Sequence, residues 1–494
     1  MNMSGTSLRI DAEHIGKTLR EAGRADAARV REVLAKASAH NGLDDEEMAV
    51  LMGVSDPELL HELFATAARV KREIYGNRLV IFAPLYISNL CANDCAYCAF
   101  SVGNKGLKRR ALNQDEIAQE VLHLIRTGHK RVLLVAGEAY PRQGFRYVLD
   151  SIETIYKTKE GPGEVRRVNV NVAPLTVEEF RELAGARLGT YQIFQETYHP
   201  ETYHAVHTRG PKADYDWRIS AMDRAMTAGI HDVGVGVLFG LFDWRWELLA
   251  LMQHVRHLEQ AFGCGPHTVS VPRLEPASGS RISEQPPKPV SDVEFRKLVA
   301  ILRLAVPYTG IIMSTRETAE MRRESFALGV SQISAGSRTN PGGYEEDEEC
   351  DRVSIEGDTQ GTDAPRTQDS MRQHEVDDDT GAQFSLGDHR ELDEVVRDLI
   401  AMKYIPSFCT GCYRLGRTGA DFMDLAKPGD IRAHCDPNAI STFLEYLLDY
   451  GTPATRAAGE ALIPELIAGM DPGPAETSRQ LVEKVRAGRR DVYC

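Results

Sequence analysis

Long apolar runs are missing from this 494-residue chain. Nothing in it approaches the ~18 consecutive apolar residues that mark a membrane span. Its first residues, Met1-Asn-Met-Ser-Gly-Thr6, show no basic flank followed by an apolar stretch, so no secretory signal is visible and the expected location is cytoplasmic. An excess of positive charge is missing too. The net charge is −14, which argues against a nucleic-acid partner, and no membrane partner is expected. Cysteine is sparse, nine in all. The odd number and the clustering argue for metal ligation in a reducing compartment rather than for disulfides. What is present is an ordinary 42% of hydrophobic residues, enough for a sizeable core. Much of the negative charge is local: residues 345–379 hold 14 acids against three arginines. That stretch is poor in apolar residues and reads as an acidic disordered insertion, with Cys350 as a spare thiol.

Residues 11–76 read as helices, with Asp11 and Asp56-Pro57 as starts. From residue 79 short β-branched runs alternate with amphipathic stretches. The strands expected are 79–87, 131–135, 168–172, 190–195, 232–238, 267–271, 310–313 and 330–334. Helices are expected over 114–126, 144–156, 177–183, 214–227, 244–262, 291–304 and 317–328. Eight strands with helices between them predict an α/β fold, a (β/α)8 TIM-type barrel of the usual ~250 residues. A doubly wound open sheet is the alternative, because strand count does not prove closure. The organisation expected is an N-terminal helical segment over 1–78, the barrel over 79–344, the insertion over 345–379 and a C-terminal helical, cluster-binding domain over 380–494. Residues 392–494 read as a separate helical segment, with short helices over 443–450 and 455–463. Pro453, Pro464 and the turn signal Asp471-Pro-Gly-Pro474 break it up.

Six of the nine cysteines form two triads. One is Cys91-Ala-Asn-Asp-Cys95-Ala-Tyr-Cys98; the other is Cys409-Thr-Gly-Cys412, completed by Cys435. Three thiolates are one fewer than the four that close a zinc or iron–sulfur site, so each triad leaves a position for another ligand. The first triad directly follows the first strand, on the barrel face where active sites sit. Its spacing lets a loop wrap three irons of a cubane; a zinc ion completed by a distant residue is the alternative. For the second triad the alternative is a Cys3His zinc site with His434. Gly234-Val-Gly236-Val-Leu-Phe-Gly240 has the wrong spacing for a dinucleotide loop and lies within a strand; small residues beside a ligand or the next strand explain it better.

The first triad, with Tyr97 before its last cysteine, resembles the signature of radical S-adenosylmethionine (SAM) enzymes. Ala136-Gly137-Glu138 resembles the Gly-Gly-Glu segment of that family, which contacts the SAM amino group; Ala136 replaces the first glycine. Glu196, ending the fourth strand, resembles the acid that binds the SAM ribose. Arg218 resembles the arginine that pairs with the SAM carboxylate, a role suited to its planar fork. The second triad, with the stretches 407–419, 385–389 and 334–344, closely resembles the HydG family, the tyrosine lyases of [FeFe]-hydrogenase maturation. The likeness runs from about Pro57 to Ile467.

This resemblance implies two [4Fe–4S] clusters. The cluster on Cys91, Cys95 and Cys98 would chelate SAM. The cluster on Cys409, Cys412 and Cys435 would be auxiliary, its open iron bridged by a non-protein cysteine to a fifth, labile iron that His267 also holds. The implied reaction cleaves the Cα–Cβ bond of L-tyrosine to p-cresol and dehydroglycine. Dehydroglycine would become CO and cyanide, delivered as an Fe(CO)2(CN)–cysteine unit. The implied partners are L-tyrosine, free L-cysteine and Fe(II), a reductant such as ferredoxin or flavodoxin, and the hydrogenase maturation partners.

The substrate carboxylate needs a cation on the SAM-side face. Arg316 and Arg273 are the candidates, and the alternative for either is a structural salt bridge with an acid such as Glu317 or Glu275. Strand polarity bears on His267, which begins the sixth strand and so belongs at the opposite face from Arg273. Five to six residues separate these ends by about 17–20 Å. If His267 is a ligand, the C-terminal helices dock under the barrel and the two clusters face opposite ends of it. Small molecules would then need a tunnel or a rearrangement, because barrel cores are normally filled. Other readings are the tyrosine lyase of thiazole synthesis (2-iminoacetate synthase), which lacks the second triad, a radical SAM enzyme on another amino acid, and a non-catalytic iron–sulfur scaffold.

Overall fold

The computed structural model describes residues 8–22, 26–345 and 381–494. Apart from Glu345, the acidic insertion and Cys350 lie outside the described residues. Four helices lead the chain: Ala12–Glu21, Ala27–Ala37, Asp45–Met52 and Pro57–Tyr75. Each starts at an aspartate (Asp11, Asp26, Asp44, Asp56) whose carboxylate accepts N–H groups of the first turn. They pack on the barrel helices Trp244–Phe262 and Asp292–Ala305.

The strands are β1 (Arg78–Ser88), β2 (Arg131–Ala136), a short antiparallel hairpin of β3 (Lys159–Glu160) and β4 (Gly163–Glu164), then β5 (Arg167–Asn171), β6 (Tyr191–Gln192), β7 (Val233–Gly236), β8 (Thr268–Ser270), β9 (Gly310–Met313), β10 (Gln332–Ser334) and β11 (Ile405–Ser407). Strands β1, β2 and β5 to β10 pair in order and in parallel, and β10 returns to β1 at Val80↔Gln332. The sheet is therefore a closed eight-stranded barrel and not an open one. Helices cover its outside as expected, with one exception. The stretch 214–227 is two helices, Tyr215–Ile219 and Ala221–Thr227. The hydroxyl of Ser220, between them, donates to the Asp216 carbonyl at 2.5 Å and competes with regular helix bonding. Strand β6 is shorter than the expected 190–195. Backbone bonds to β7 continue from Ile193 and Gln195, but the chain then turns at Glu196, whose φ of 70° lies in the left-handed region.

The C-terminal part is not separate from the barrel. Val80 pairs with Gln332 of β10 on one edge of β1 and with Ser407 of β11 on the other. Strand β11 thus shares an edge of β1 with β2, which joins only from Ala83 onward, and extends the barrel wall below β2. Two of the helices that follow, Arg432–Asp449 and Pro453–Ala468, are longer than expected, and a third, Pro472–Arg486, starts within the expected turn. Pro453 and Pro472 start helices, at the first position, where the missing N–H costs nothing. Pro464 lies inside one. Among the described residues no helix is long and apolar enough to cross a membrane.

Candidate functional site

A cavity lies at the C-terminal ends of the barrel strands. Its wall includes Cys91, Cys95, Cys98, Tyr97, Ala136, Gly137, Glu138, Glu196, Arg218 and Arg316. The cysteine loop is fixed to the segment after the fourth strand. Asp94 N bonds Arg209 O at 2.9 Å and Ala96 N bonds Val206 O at 2.9 Å. Asn93 accepts from Lys212 N and donates to Glu138 Oε2, both at 2.8 Å. Gly137 is required by a close approach: a Cβ there would lie 2.2 Å from the Leu90 carbonyl oxygen.

Charge alternates across this wall. Arg218 donates to Glu138 Oε1 at 2.8 Å and to Phe194 O at 2.8 Å. Lys212 donates to Glu196 Oε1 at 2.7 Å, and Arg218 stands 3.7 Å from the same oxygen. Burial works against the Glu138 carboxylate, but Arg218 and Lys212 hold its pKa below the usual range. Burial and Arg218 work against the Lys212 ammonium, and Glu196, Cys95 and Glu138 outweigh them. Glu196 combines this pairing with strained backbone, a combination that clusters at functional sites. Tyr97 is buried, its hydroxyl 2.8 Å from His207 Nε2.

Burial pushes all three thiols up, Cys98 to about 11. Three thiolates are stable here only against a cationic centre, which fits an iron–sulfur cluster.

The two candidate arginines part company. Arg316 lines the cavity, its guanidinium 3.2 Å from the Phe384 ring centroid. Among the described residues it has no carboxylate within ion-pair distance. Arg273 is engaged elsewhere. It donates to Glu317 through two nitrogens, one at 2.9 Å, and to Asp292 at 2.8 Å, and it is not in the cavity wall. It makes the salt bridge that was the alternative, with Glu317 and not Glu275.

Sequence reasoning missed Lys212, Asn93, Gln383 and Phe384. Asn93 sat inside the first motif, between its first two cysteines. Gln383 accepts from the Tyr86 hydroxyl at 2.7 Å and donates to Cys98 Sγ at 3.7 Å. It directly precedes the 385–389 stretch, the one signal that could have found it.

A second cavity lies at the opposite end of the barrel, below the strand starts. Cys409, Cys412, Cys435 and His267 share its wall; His434 is not part of it. Cys409 follows β11 by two residues, and Arg131 holds its carbonyl at 2.7 Å. Cys435 comes from the helix Arg432–Asp449. The Cys412 thiolate is held low by the hydrogen bond from Cys435, whose own proton is held correspondingly tightly. Burial keeps His267 neutral. Its buried Nδ1 makes no hydrogen bond and faces Asp232 Oδ1 at 3.6 Å, which leaves Nε2 on offer to the cavity. A neutral imidazole beside three thiols is a donor set that suits a soft metal centre, of iron or of zinc. A Cβ on Gly234 would lie 2.6 Å from Thr268 Oγ1, and one on Gly310 would lie 3.1 Å from Gln332 Nε2. Gln192 lines the upper cavity and Gln332 the lower.

The Radical SAM superfamily matches residues 85–254, and the Biotin and Thiamin Synthesis associated domain matches residues 270–405. The chain is 34% identical over 306 residues to the 2-iminoacetate synthase of Escherichia coli K12, covering 61% of this chain and 78% of that protein. It is 26% identical over 315 residues to the biotin synthase of Pelotomaculum thermopropionicum, covering 62% of this chain and 92% of that one. A crystal structure of HydG, a maturase of the [FeFe]-hydrogenase, is 44% identical with a TM-score of 0.88, covering 98% of this chain and 99% of that one. The FeFe-hydrogenase maturase HydG from Carboxydothermus hydrogenoformans is 36% identical with a TM-score of 0.79, covering 96% and 97%. At these identities and over these lengths, the chain belongs to the HydG family of radical SAM enzymes.

Proposed function

We propose that the chain cleaves the Cα–Cβ bond of L-tyrosine to p-cresol and dehydroglycine at the upper cavity. It then converts dehydroglycine to CO and cyanide, which load an iron held at the lower cavity as an Fe(CO)2(CN)–cysteine unit for hydrogenase maturation partners. The observation that carries this reading is the pair of thiol triads at opposite ends of one closed barrel, with His267 in the wall of the second cavity. Cys91, Cys95 and Cys98 would hold a [4Fe–4S] cluster that, reduced by a ferredoxin or flavodoxin, supplies the electron that splits SAM into methionine and a 5′-deoxyadenosyl radical.

The chain's own residues orient the reactants. Glu138 and Arg218 offer an anion and a cation to the amino and carboxylate groups of SAM, with Tyr97, Ala136 and Gly137 shaping the space around them. Glu196, steadied by Lys212, offers acceptors to the ribose hydroxyls. Arg316, which has no carboxylate within ion-pair distance among the described residues, is the cation of this wall that suits the tyrosine carboxylate. Phe82, Leu133, Val135 and Ile312 complete an apolar wall that excludes water from the radical step. At the lower end Cys409, Cys412 and Cys435 would hold the auxiliary cluster. His267 and free L-cysteine would hold the incoming Fe(II), which is substrate rather than resident cofactor.

The second reading is a 2-iminoacetate synthase, which would stop at dehydroglycine. It is favoured by the 34% identity to that enzyme. Against it, the second triad lies beyond residue 405, where the thiamin-type segment ends. Reconstituted protein given SAM, dithionite and tyrosine should release both p-cresol and CO. Absence of p-cresol would defeat the tyrosine-lyase reading, and p-cresol without CO would favour the second one. In the double variant Cys409→Ala/Cys412→Ala, p-cresol should persist and CO should vanish; loss of both would make the second triad structural.

A further inference from the structure

Gln383 lines the upper cavity beside the first triad, and its side-chain amide is pinned at both ends. The Tyr86 hydroxyl donates to its Oε1 at 2.7 Å, and its Nε2 donates to Cys98 Sγ at 3.7 Å. A thiolate sulfur accepts and has no proton to give, so it selects the nitrogen end of the amide. Tyr86, bonded to the oxygen end, holds it there. The backbone fixes the same residue. Gln383 N donates to Thr339 O at 3.0 Å, and Gln383 O accepts from the N–H of Ala99, the residue after Cys98, at 3.4 Å. Further on, Ser385 N donates to Pro276 O at 2.8 Å and Gly387 N to Thr315 O at 2.9 Å. Residues 383–387 are thus strapped to the loops that follow β1, β8, β9 and β10. Tyr86 and Phe100 form one apolar cluster with Phe82 and Ala277, and Cys98 and Phe384 pack against it. In such a low-dielectric setting a donor to a charged sulfur acts more strongly than in water.

We propose that Gln383 is a positioning residue for the first cluster: acting through Cys98, its amide raises the reduction potential of a cluster held on the first triad, and Tyr86 keeps the amide turned to the sulfur. Reduction by the one-electron donor places negative charge on the cluster and its ligating sulfurs. A donor to a sulfur therefore stabilises the reduced form more than the oxidised one, and hydrogen bonds to the sulfurs are among the levers that set such potentials. Backbone N–H groups also serve these thiols, those of Asn93 and Glu138 on Cys91 and that of Phe100 on Cys98. Gln383 adds a side-chain donor, and it comes from a different part of the chain. Its neighbour Phe384 lies against Arg316, so one strap shapes the substrate wall and sets how readily the cluster accepts the electron for SAM cleavage. The inference rests on the reading of the first triad as a SAM-binding [4Fe–4S] site.

The test is a redox titration of the iron-loaded protein, followed by the electron paramagnetic resonance signal that changes when SAM is added, which separates the first cluster from the second. Gln383→Leu removes the donor. Gln383→Glu keeps the shape and the acceptor for Tyr86 but, ionised, donates nothing. Each should shift the reduction equilibrium of the first cluster about tenfold toward the oxidised form, a midpoint lower by about 59 mV for one electron, and leave the midpoint of the second cluster in place. Tyr86→Phe, which frees the amide to turn, should lower the first midpoint by a smaller amount. An unchanged first-cluster midpoint in both Gln383 variants overturns the proposal, as does an equal shift of both clusters. If the Gln383 variants lose the iron of the first cluster, Tyr86→Phe decides: a lowered midpoint supports the proposal, and an unchanged one overturns it in favour of a clamp on the cysteine loop. If no wild-type signal responds to SAM, the first triad holds no SAM-binding cluster. That failure shows before any variant is compared and takes the proposal with it.

Discussion

Two arginines at the same end of the barrel show how far a residue's neighbours decide its work. Arg273 spends its fork on Glu317 and Asp292, whereas Arg316 lies against Phe384 with its charge unanswered. Arg316→Lys should therefore raise the tyrosine concentration needed for p-cresol formation by roughly 10- to 100-fold, the equivalent of about 1.5–3 kcal/mol of charge-assisted bonding, and leave SAM binding intact. Arg273→Met should leave that tyrosine dependence alone and lower the thermal unfolding temperature. Initial rates against tyrosine, with a melting curve for each variant, separate the two. Gly137 tests the SAM side independently. Its missing Cβ makes room for the Leu90 carbonyl, so Gly137→Ala should weaken SAM binding in equilibrium dialysis while second-cluster iron stays bound. At this scale the sequence was legible where residues come in fixed spacing, as in Cys91, Cys95 and Cys98. Glu138, Glu196 and Arg218 could be found because each ends or follows a strand. Lys212 and Gln383 carry no pattern; only the fold brings Lys212 to Glu196 and Gln383 to Cys98. Strand order put Arg273 at the right end of the barrel but could not say which way its side chain turns.

Strand β11 does more than its three residues suggest. It is too short for a periodic signal, and Pro406 argues against a strand. A proline is tolerated because β11 lies at an edge, paired only with β1. That pairing sets the height of Cys409 below β2, and so the contact of its carbonyl with Arg131. The Ile405 N–H donates to the Asn77 carbonyl at 2.9 Å. Ile405→Pro would remove that bond and loosen the register. It should cost the protein about half of its iron, that of the second cluster, and abolish CO release while p-cresol formation continues. Iron per chain and the two products together check this. Equal loss of both products would mean that β11 supports the whole barrel. The C-terminal helices exceed the lengths that the sequence predicts for a related reason. Proline predicts a break, but at Pro453 and Pro472 it occupies the first helical position.

Buried ionisable groups distributed over the barrel set the pH response of the whole molecule, and their signs oppose one another. Burial holds His129, His207 and His254 neutral, with pKa values pushed down to about 3, about 2 and about 3. Unfolded, each takes up a proton below about pH 6.5, so the histidines withdraw stability as the pH falls through that value. Burial pushes the carboxyls of Glu120 and Glu247 up to about 7. Folded, they keep a proton that the unfolded chain releases above about pH 4.3, so they withdraw stability as the pH rises from there toward 7. Between about pH 4.5 and 6.5 the histidines favour the unfolded state, and these glutamates, joined by Glu275, which burial also pushes up to about 7, oppose them. Glu247→Gln removes one opposing proton and should steepen the loss of stability toward acid by about 1.4 kcal/mol per pH unit relative to wild type. Urea midpoints measured anaerobically at pH 5.5, 6.5 and 7.5 decide it. A variant slope equal to that of wild type would show that Glu247 is already ionised in the folded protein. A rise in wild-type stability toward acid would show that the buried carboxyls, and not the histidines, govern the window.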